Sequence, residues 1–248
     1  MTVRDIMDSR LREHLEWTLG LPLDSFPPAG TRIRVSPNRT DAPRQRLCIH
    51  RLPGRDAALA SGIRRVVDRL APILEQMQPA EVFSPYGIAE IRRALGADDA
   101  GSLLAEPGLD YAITDRGAFR PATGAHEVVQ LTARDIPATR KHFGLKMSDG
   151  DASPPEGVAW AFVSRERGEP ASIAVIRWYE HALASISIAG TKEAYRGRGH
   201  GRAVVSAATD YILRQGRVAT YGTVQSNVAA VRMIRPLGYR LAYETIYA

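Results

Sequence analysis

From Glu193 to Val205 the chain reads EAYRGRGHGRAVV. Gly197, Gly199 and Gly201 alternate with Arg196, Arg198, His200 and Arg202, and the run passes without a break into the apolar, helix-forming stretch AVVSAATDYIL. These residue types at this spacing suit the holding of a phosphate. Glycines let the backbone approach an anion and adopt the positive φ angles of a nest of N–H groups. A helix that begins where the run ends adds unpaired N–H groups and the positive end of its dipole. The arginines supply charge at the rim. No Lys-Ser or Lys-Thr follows the last glycine, so this is not a Walker loop, and GRGHGR lacks the final spaced glycine of a dinucleotide fingerprint. An arginine-glycine segment for RNA would be longer, more repetitive and remote from apolar sequence. A purely structural tight turn is the remaining alternative.

The elements around the loop follow from periodicity. Upstream, VAWAFVSR, ASIAVIRWY and LASISIAGT are three strand-like runs with short connections, the pattern of an antiparallel meander ending near Thr191. Downstream the pattern predicts a helix over about Gly199 to Gln215, a strand RVATYGTV, a helix over about Asn227 to Leu237 and a last strand YRLAYETIYA. Ahead of the meander, EVVQLT reads as a strand, ARDIPATRKHFG as a short helix introduced by Thr132, and KMSDGDASPPEG as a flexible loop. FRPATGA, 119–125, loses its pattern and reads as a linker, which divides the chain into 1–125 and 126–248. The first part carries a helix over Arg4 to Leu19, strands TRIRVS and RLCIHRL, a helix over about Asp56 to Gln76, a helix capped by Ser84 and closed by Gly96, and a strand GLDYAITD. The fold class expected is α/β (α+β): a mixed, mostly antiparallel central sheet flanked by helices, preceded by a smaller α/β half.

Composition narrows the partners. The 248 residues, 44% of them apolar, supply a real core. No run approaches a membrane span and the N-terminus is charged throughout, so a cytoplasmic protein without a membrane partner is expected. Cys48, the single cysteine, has no internal disulfide partner and reads as a buried small hydrophobe, and the six histidines lack metal-ligand spacing. The net charge of +6 comes almost wholly from arginine spread along the chain, with Lys141, Lys146 and Lys192 the only lysines. That is a solvated basic surface more than a nucleic-acid interface.

At this point the residues resemble a family. Arg196, Gly199 and Gly201 fit the RxxGxG motif of the GNAT acetyltransferases, and AYRGRGHGRAVV looks like its tyrosine-arginine-glycine form. Asn227, Ala230, Gly238 and Tyr239 in NVAAVRMIRPLGY resemble the asparagine-to-GF signature that closes that fold. The resemblance covers roughly Glu127 to Ala248, and in particular is similar to the FR47-like branch, in which an unfamiliar N-terminal half precedes an acetyltransferase half. It implies acetyl-CoA as co-substrate, no metal, and direct transfer of an acetyl group to the amine of a small molecule, peptide or aminoacyl acceptor. It implies that Arg196, Gly197, Arg198, Gly199, His200, Gly201 and Arg202 hold the pyrophosphate, chiefly through backbone N–H groups. By the same resemblance the pantetheine arm pairs with the backbone of Ala189, Gly190 and Thr191, and Asn227 caps the next helix and orders the acyl end.

Two positions depart from that pattern. The tyrosine expected seven residues after the asparagine is Ile234, and the glutamate often found eleven residues before the motif arginine is Ser185. Tyr221, Glu180 and His181 are weak substitutes, and the general acid and base stay unassigned. A CoA-binding sensor or scaffold without transferase activity is therefore the second reading. The N-terminal half is open between a degenerate copy of the same fold, which is preferred, a lid on the acceptor site, and a surface for a homodimer.

Overall fold

The computed structural model describes residues 8–42, 44–124, 126–145, 158–179 and 181–248. The start of the predicted first helix, the loop at 146–157, Glu180 and the boundary residue Ala125 lie outside them. The chain divides into two compact units: residues 1–110 with 223–227 and 241–248, and residues 111–222 with 228–240.

The first unit begins with helix α1, Ser9–Leu19, capped by Asp8, whose carboxylate accepts from the Arg10 N–H at 2.9 Å. Leu11, His14, Leu15 and Leu19 form its buried face. Strands β1 (Gly30–Val35), β2 (Leu47–Arg51) and β3 (Ala57–Gly62) follow. β3 lies between the other two, parallel to β1 and antiparallel to β2. The helix expected from Asp56 onward is thus a strand at its start, and only Arg64–Leu74 is helical, as α2. AALASG has helix-forming side chains, but all six residues are buried and their backbone groups are satisfied by strands on both sides. Pairing with distant segments overrides local propensity here. A short turn α3 (Pro79–Val82) precedes α4 (Pro85–Ala100), where Ser84 Oγ accepts from the Gly87 N–H at 3.1 Å. The predicted stop at Gly96 is a break in helical backbone, φ 72° and ψ 176°, after which helical bonding resumes to Ala100.

Strand β4, Gly108–Ile113, carries the chain into the second unit. There β5 (Glu127–Leu131) leads to α5 (Ile136–Phe143), introduced by Thr132, whose N–H and hydroxyl both bond Asp135 Oδ2. β6 (Ala161–Glu166), β7 (Glu169–Trp178) and β8 (Leu183–Thr191) form the expected antiparallel meander, with β5 antiparallel to β6 at its outer side. Helix α6 (His200–Arg214) packs across β6, β7 and β8. β9 (Val218–Val224) runs parallel to β8, and α7 (Val228–Ile234) continues into a 3-10 turn before β10 (Arg240–Tyr247). On the other face of the meander, Trp160, Val163, Ile173 and Val175 make a core with Phe143 and Ile188.

The last strand completes the first unit. β10 pairs antiparallel with β2, and Ile246 and Ala248 are buried in a core with Leu47, Ile49, Leu70 and Ile91. The Ala248 carbonyl accepts from both the Arg46 and Leu47 N–H groups at 2.9 Å. Replacing Ile246 by alanine is expected to cost about 2–4 kcal/mol, because the cavity left in so well packed a site cannot collapse fully. Urea unfolding of the purified variant measures it; a change below about 1 kcal/mol would mean that β10 is dispensable to this core.

Candidate functional site

The site is built where β8 ends and α6 begins. β8 pairs with β9 only over Leu183–Ile186 against Val218–Tyr221. Beyond Ile186 the residues from Ser187 to Thr191 keep β7 on one side and no partner from β9 on the other. The cause lies in the pairing with β7: Ile176 opposes Ile186 whereas Val175 opposes Ile188, so Ser187 is an extra residue. Such a bulge bends a strand and increases its twist, which turns β8 away from β9. Ala189, Gly190 and Thr191 therefore present backbone groups along a free strand edge, the kind of edge that an extended ligand can pair with. Ser172 on β7 steadies this end from the paired side, its hydroxyl donating to the Gly190 carbonyl at 2.8 Å and lying 2.9 Å from Thr191 Oγ1.

A single 3-10 turn, Glu193–Tyr195, then sends the chain into the glycine run. Gly197 and Gly199 have φ of 75° and 92°, a region that side-chain-bearing residues rarely occupy. Gly199 is the N-cap of α6, no side chain caps the helix, and its first turn carries no acidic residue. The N–H groups of His200, Gly201 and Arg202 have no partner within the helix, and the positive end of its dipole faces the loop. Space is as restricted as conformation. A Cβ on Gly199 would stand 2.9 Å from His126 Nε2, and one on Gly201 would stand 3.0 Å from Thr191 Oγ1 and 3.3 Å from Met233 Sδ.

The charged side chains of the run have separate duties. Arg196 and Arg202 are exposed, and Arg196 Nε reaches back to the Thr191 carbonyl at 3.4 Å. Arg198 instead donates to Glu166 Oε1 at 3.0 Å. His200 is buried, with Nε2 2.8 Å from Glu166 Oε2 and Nδ1 3.1 Å from Ser164 Oγ. A carboxylate only accepts, so Nε2 carries the proton. His200 thus offers the site its backbone N–H and not its ring. The His200 hydrogen bond, followed by the Arg198 charge, holds the Glu166 carboxyl below the usual carboxylate range.

Residues 167–248 match the family model described as FR47-like protein. That match gives the chain an FR47-like C-terminal region. No curated protein matches the chain. Among solved structures, a GNAT-family protein from Novosphingobium aromaticivorans is 22% identical over 57% of this chain and 62% of its own, with a TM-score of 0.44. A GCN5-related N-acetyltransferase from Kribbella flavida is 20% identical over 68% and 75%, with a TM-score of 0.49. A Salmonella typhimurium protein, solved with its cofactor acetyl-CoA, is 17% identical over 50% and 92%, with a TM-score of 0.37. The chain thus spans less than two thirds of the Novosphingobium protein.

Within the FR47-like region, the structure brings Ala189 to Arg202 together as one continuous edge and loop. Asn227 stands immediately before α7, its N–H donating to the Val224 carbonyl at 3.1 Å. Ile234 is fully buried at the end of α7, and Ser185 sits within the sheet opposite Arg177 and Thr220, so neither position brings an ionisable group. Tyr221 is on the last rung joining β8 and β9, its ring 6.3 Å from that of Tyr239. Burial pushes its hydroxyl up to about 12, so the group keeps its proton. His181 stacks on Tyr179 at 5.5 Å, which fits its reading as a turn residue. A pocket of about 290 Å³ lies between α5 and the meander, lined by Leu131, Thr139, His142, Phe143, Val163 and Arg165. Val163 and Phe143 belong to the core against which Ile188 packs.

Sequence reasoning passed over Asp110. This β4 residue belongs to the first unit, its carboxylate has no hydrogen-bond partner among the described residues, and burial pushes that carboxyl up to about 7. The Cys48 and His50 pair, 3.2 Å apart, is inert by contrast: burial pushes the thiol up to about 12 and the imidazole down to about 3, leaving both neutral and shielded from water.

Proposed function

We propose that this protein is an acetyl-CoA-dependent N-acetyltransferase acting on a primary amine by direct transfer. The observation that carries the reading is the junction of a free β8 edge with an uncapped α6 N-terminus across an αL glycine. On this reading the pantetheine arm pairs with Ala189, Gly190 and Thr191. The pyrophosphate rests on the N–H groups of Arg198 to Arg202, and Arg196 and Arg202 add charge from the rim. The acceptor amine attacks the thioester carbonyl, the carbon–sulfur bond breaks, the amine loses a proton and the thiolate gains one. Tyr221 is the hydroxyl best suited to serve the departing thiolate, because it stays protonated and stands where the two strands part. The pocket that shares Val163 and Phe143 with the Ile188 core is of a size to take a small acceptor.

Binding of CoA is expected by calorimetry, and release of free thiol from acetyl-CoA is expected to rise with one or more members of a panel of amines. The apolar Ile234 and the sheet-bound Ser185 favour a second reading, a CoA-binding module without transfer. CoA binding with no amine-dependent thiol release between pH 6 and 9 would select that module, and absence of CoA binding would remove both readings.

A further inference from the structure

We propose that Glu166 is the positioning residue of the phosphate loop, fixing the path of Gly199 by binding Arg198 and His200, its two neighbours, with one carboxylate. The inference rests on the reading of the loop as a CoA pyrophosphate site. Glu166 closes β6 opposite Glu169, across a hairpin whose two turn residues, Arg167 and Gly168, both have positive φ. Its carboxylate is therefore held by a tight turn and not by a mobile loop. Oε1 accepts from Arg198 Nη1 at 3.0 Å and Oε2 from His200 Nε2 at 2.8 Å. Ser164, two residues earlier on the same face of β6, holds the other ring nitrogen of His200 at 3.1 Å. His200 is thereby anchored at both nitrogens to one strand, with the His126 ring 4.3 Å away on its remaining side.

The consequence concerns which groups meet the anion. The guanidinium of Arg198 is committed to Glu166, so Arg198 serves the ligand through its backbone and holds the turn with its side chain. Glu166 places a negative charge behind an anion site, an arrangement that would weaken binding if electrostatics alone mattered. It is tolerable where two donors neutralise it and the gain is a preorganised set of N–H groups.

Opposite outcomes separate this account from a direct Arg198–phosphate contact. CoA and S-acetylpantetheine, which lacks the pyrophosphate, are titrated into the wild type, Glu166→Ala, Arg198→Ala, the double variant and Glu166→Gln, with thermal melts to verify folding. Glu166→Ala and Arg198→Ala are each expected to weaken CoA by about tenfold, and the double variant by no more than Glu166→Ala alone. Glu166→Gln, which keeps an acceptor for His200, is expected to recover part of the loss, and affinity for S-acetylpantetheine to stay at the wild-type value throughout. Unchanged or tighter CoA binding by Glu166→Ala would overturn the proposal, as would additive losses or a parallel fall for S-acetylpantetheine. A wild type that fails to bind CoA overturns the reading of the site itself, which is a different result from a wild type that binds and a Glu166 variant that binds equally well.

Discussion

Gly199→Val is expected to lose CoA binding, with affinity reduced by a factor of about 100 or more, while the protein stays folded. Two independent costs meet at this position. Valine at a φ of 92° is strained by an amount on the order of 1–3 kcal/mol. Its Cβ would stand 2.9 Å from His126 Nε2, so His126 or the turn must move. Relief of either strain rotates the first turn of α6 and scatters the N–H groups that the anion needs. The rest of α6 is anchored by Val204, Val205, Ala208 and Ile212, all fully buried, so the helix itself should persist. Calorimetry with CoA and a thermal melt read the two effects separately, and wild-type affinity in a folded Gly199→Val variant would remove the loop from the site. Gly201→Val is a useful companion because its backbone is helical and only space is at stake, with Thr191 Oγ1 and Met233 Sδ in the way.

Asp110→Asn is expected to stabilise the protein at pH 8 by about 2 kcal/mol and to make little difference at pH 4. An aspartate in the unfolded chain ionises near 3.9, whereas burial lifts the folded Asp110 carboxyl to about 7. Below the unfolded value both states hold the proton and the group is neutral in its effect on stability. As pH rises toward 7 the unfolded chain gains from ionising while the folded chain does not, so stability falls across that window and levels off above it. Asparagine keeps the shape and drops the titration. The magnitude is smaller than the full shift would give, because the residue retains some exposure to water. Urea melts at pH 4, 6 and 8 measure it; equal gains at all three would mean that the aspartate titrates normally.

The loop was legible in the sequence because everything that makes it is local. Three glycines, a following apolar helix and no capping side chain lie within a dozen positions; Gly197 and Gly199 take the positive φ expected of them, while Gly201 is helical and is needed for space alone. The meander was legible for the same reason, since alternation and short connections are neighbouring features. β3 was not, because AALASG prefers a helix until β1 and β2 flank it, and nothing within the segment announces those partners. The division of labour among the loop's charges was hidden too: Glu166 lies 32 positions from Arg198 and 34 from His200, and only the folded hairpin brings it there. Asp110 was passed over within the strand GLDYAITD, because the burial that raises its carboxyl is a property of the assembled unit.

The bulge at Ser187 has a bearing on how this site could be recognised in other chains. Because successive strand residues face opposite ways, one extra residue exchanges the two faces of β8. Ile186 shares a face with Ile176, while Ile188, two positions later, shares one with Val175. The opening beside β9 is thus written as a residue count and not as a residue type. A chain could change every side chain from Ser187 to Thr191 and keep the gap, or keep all of them, lose one position, and close it.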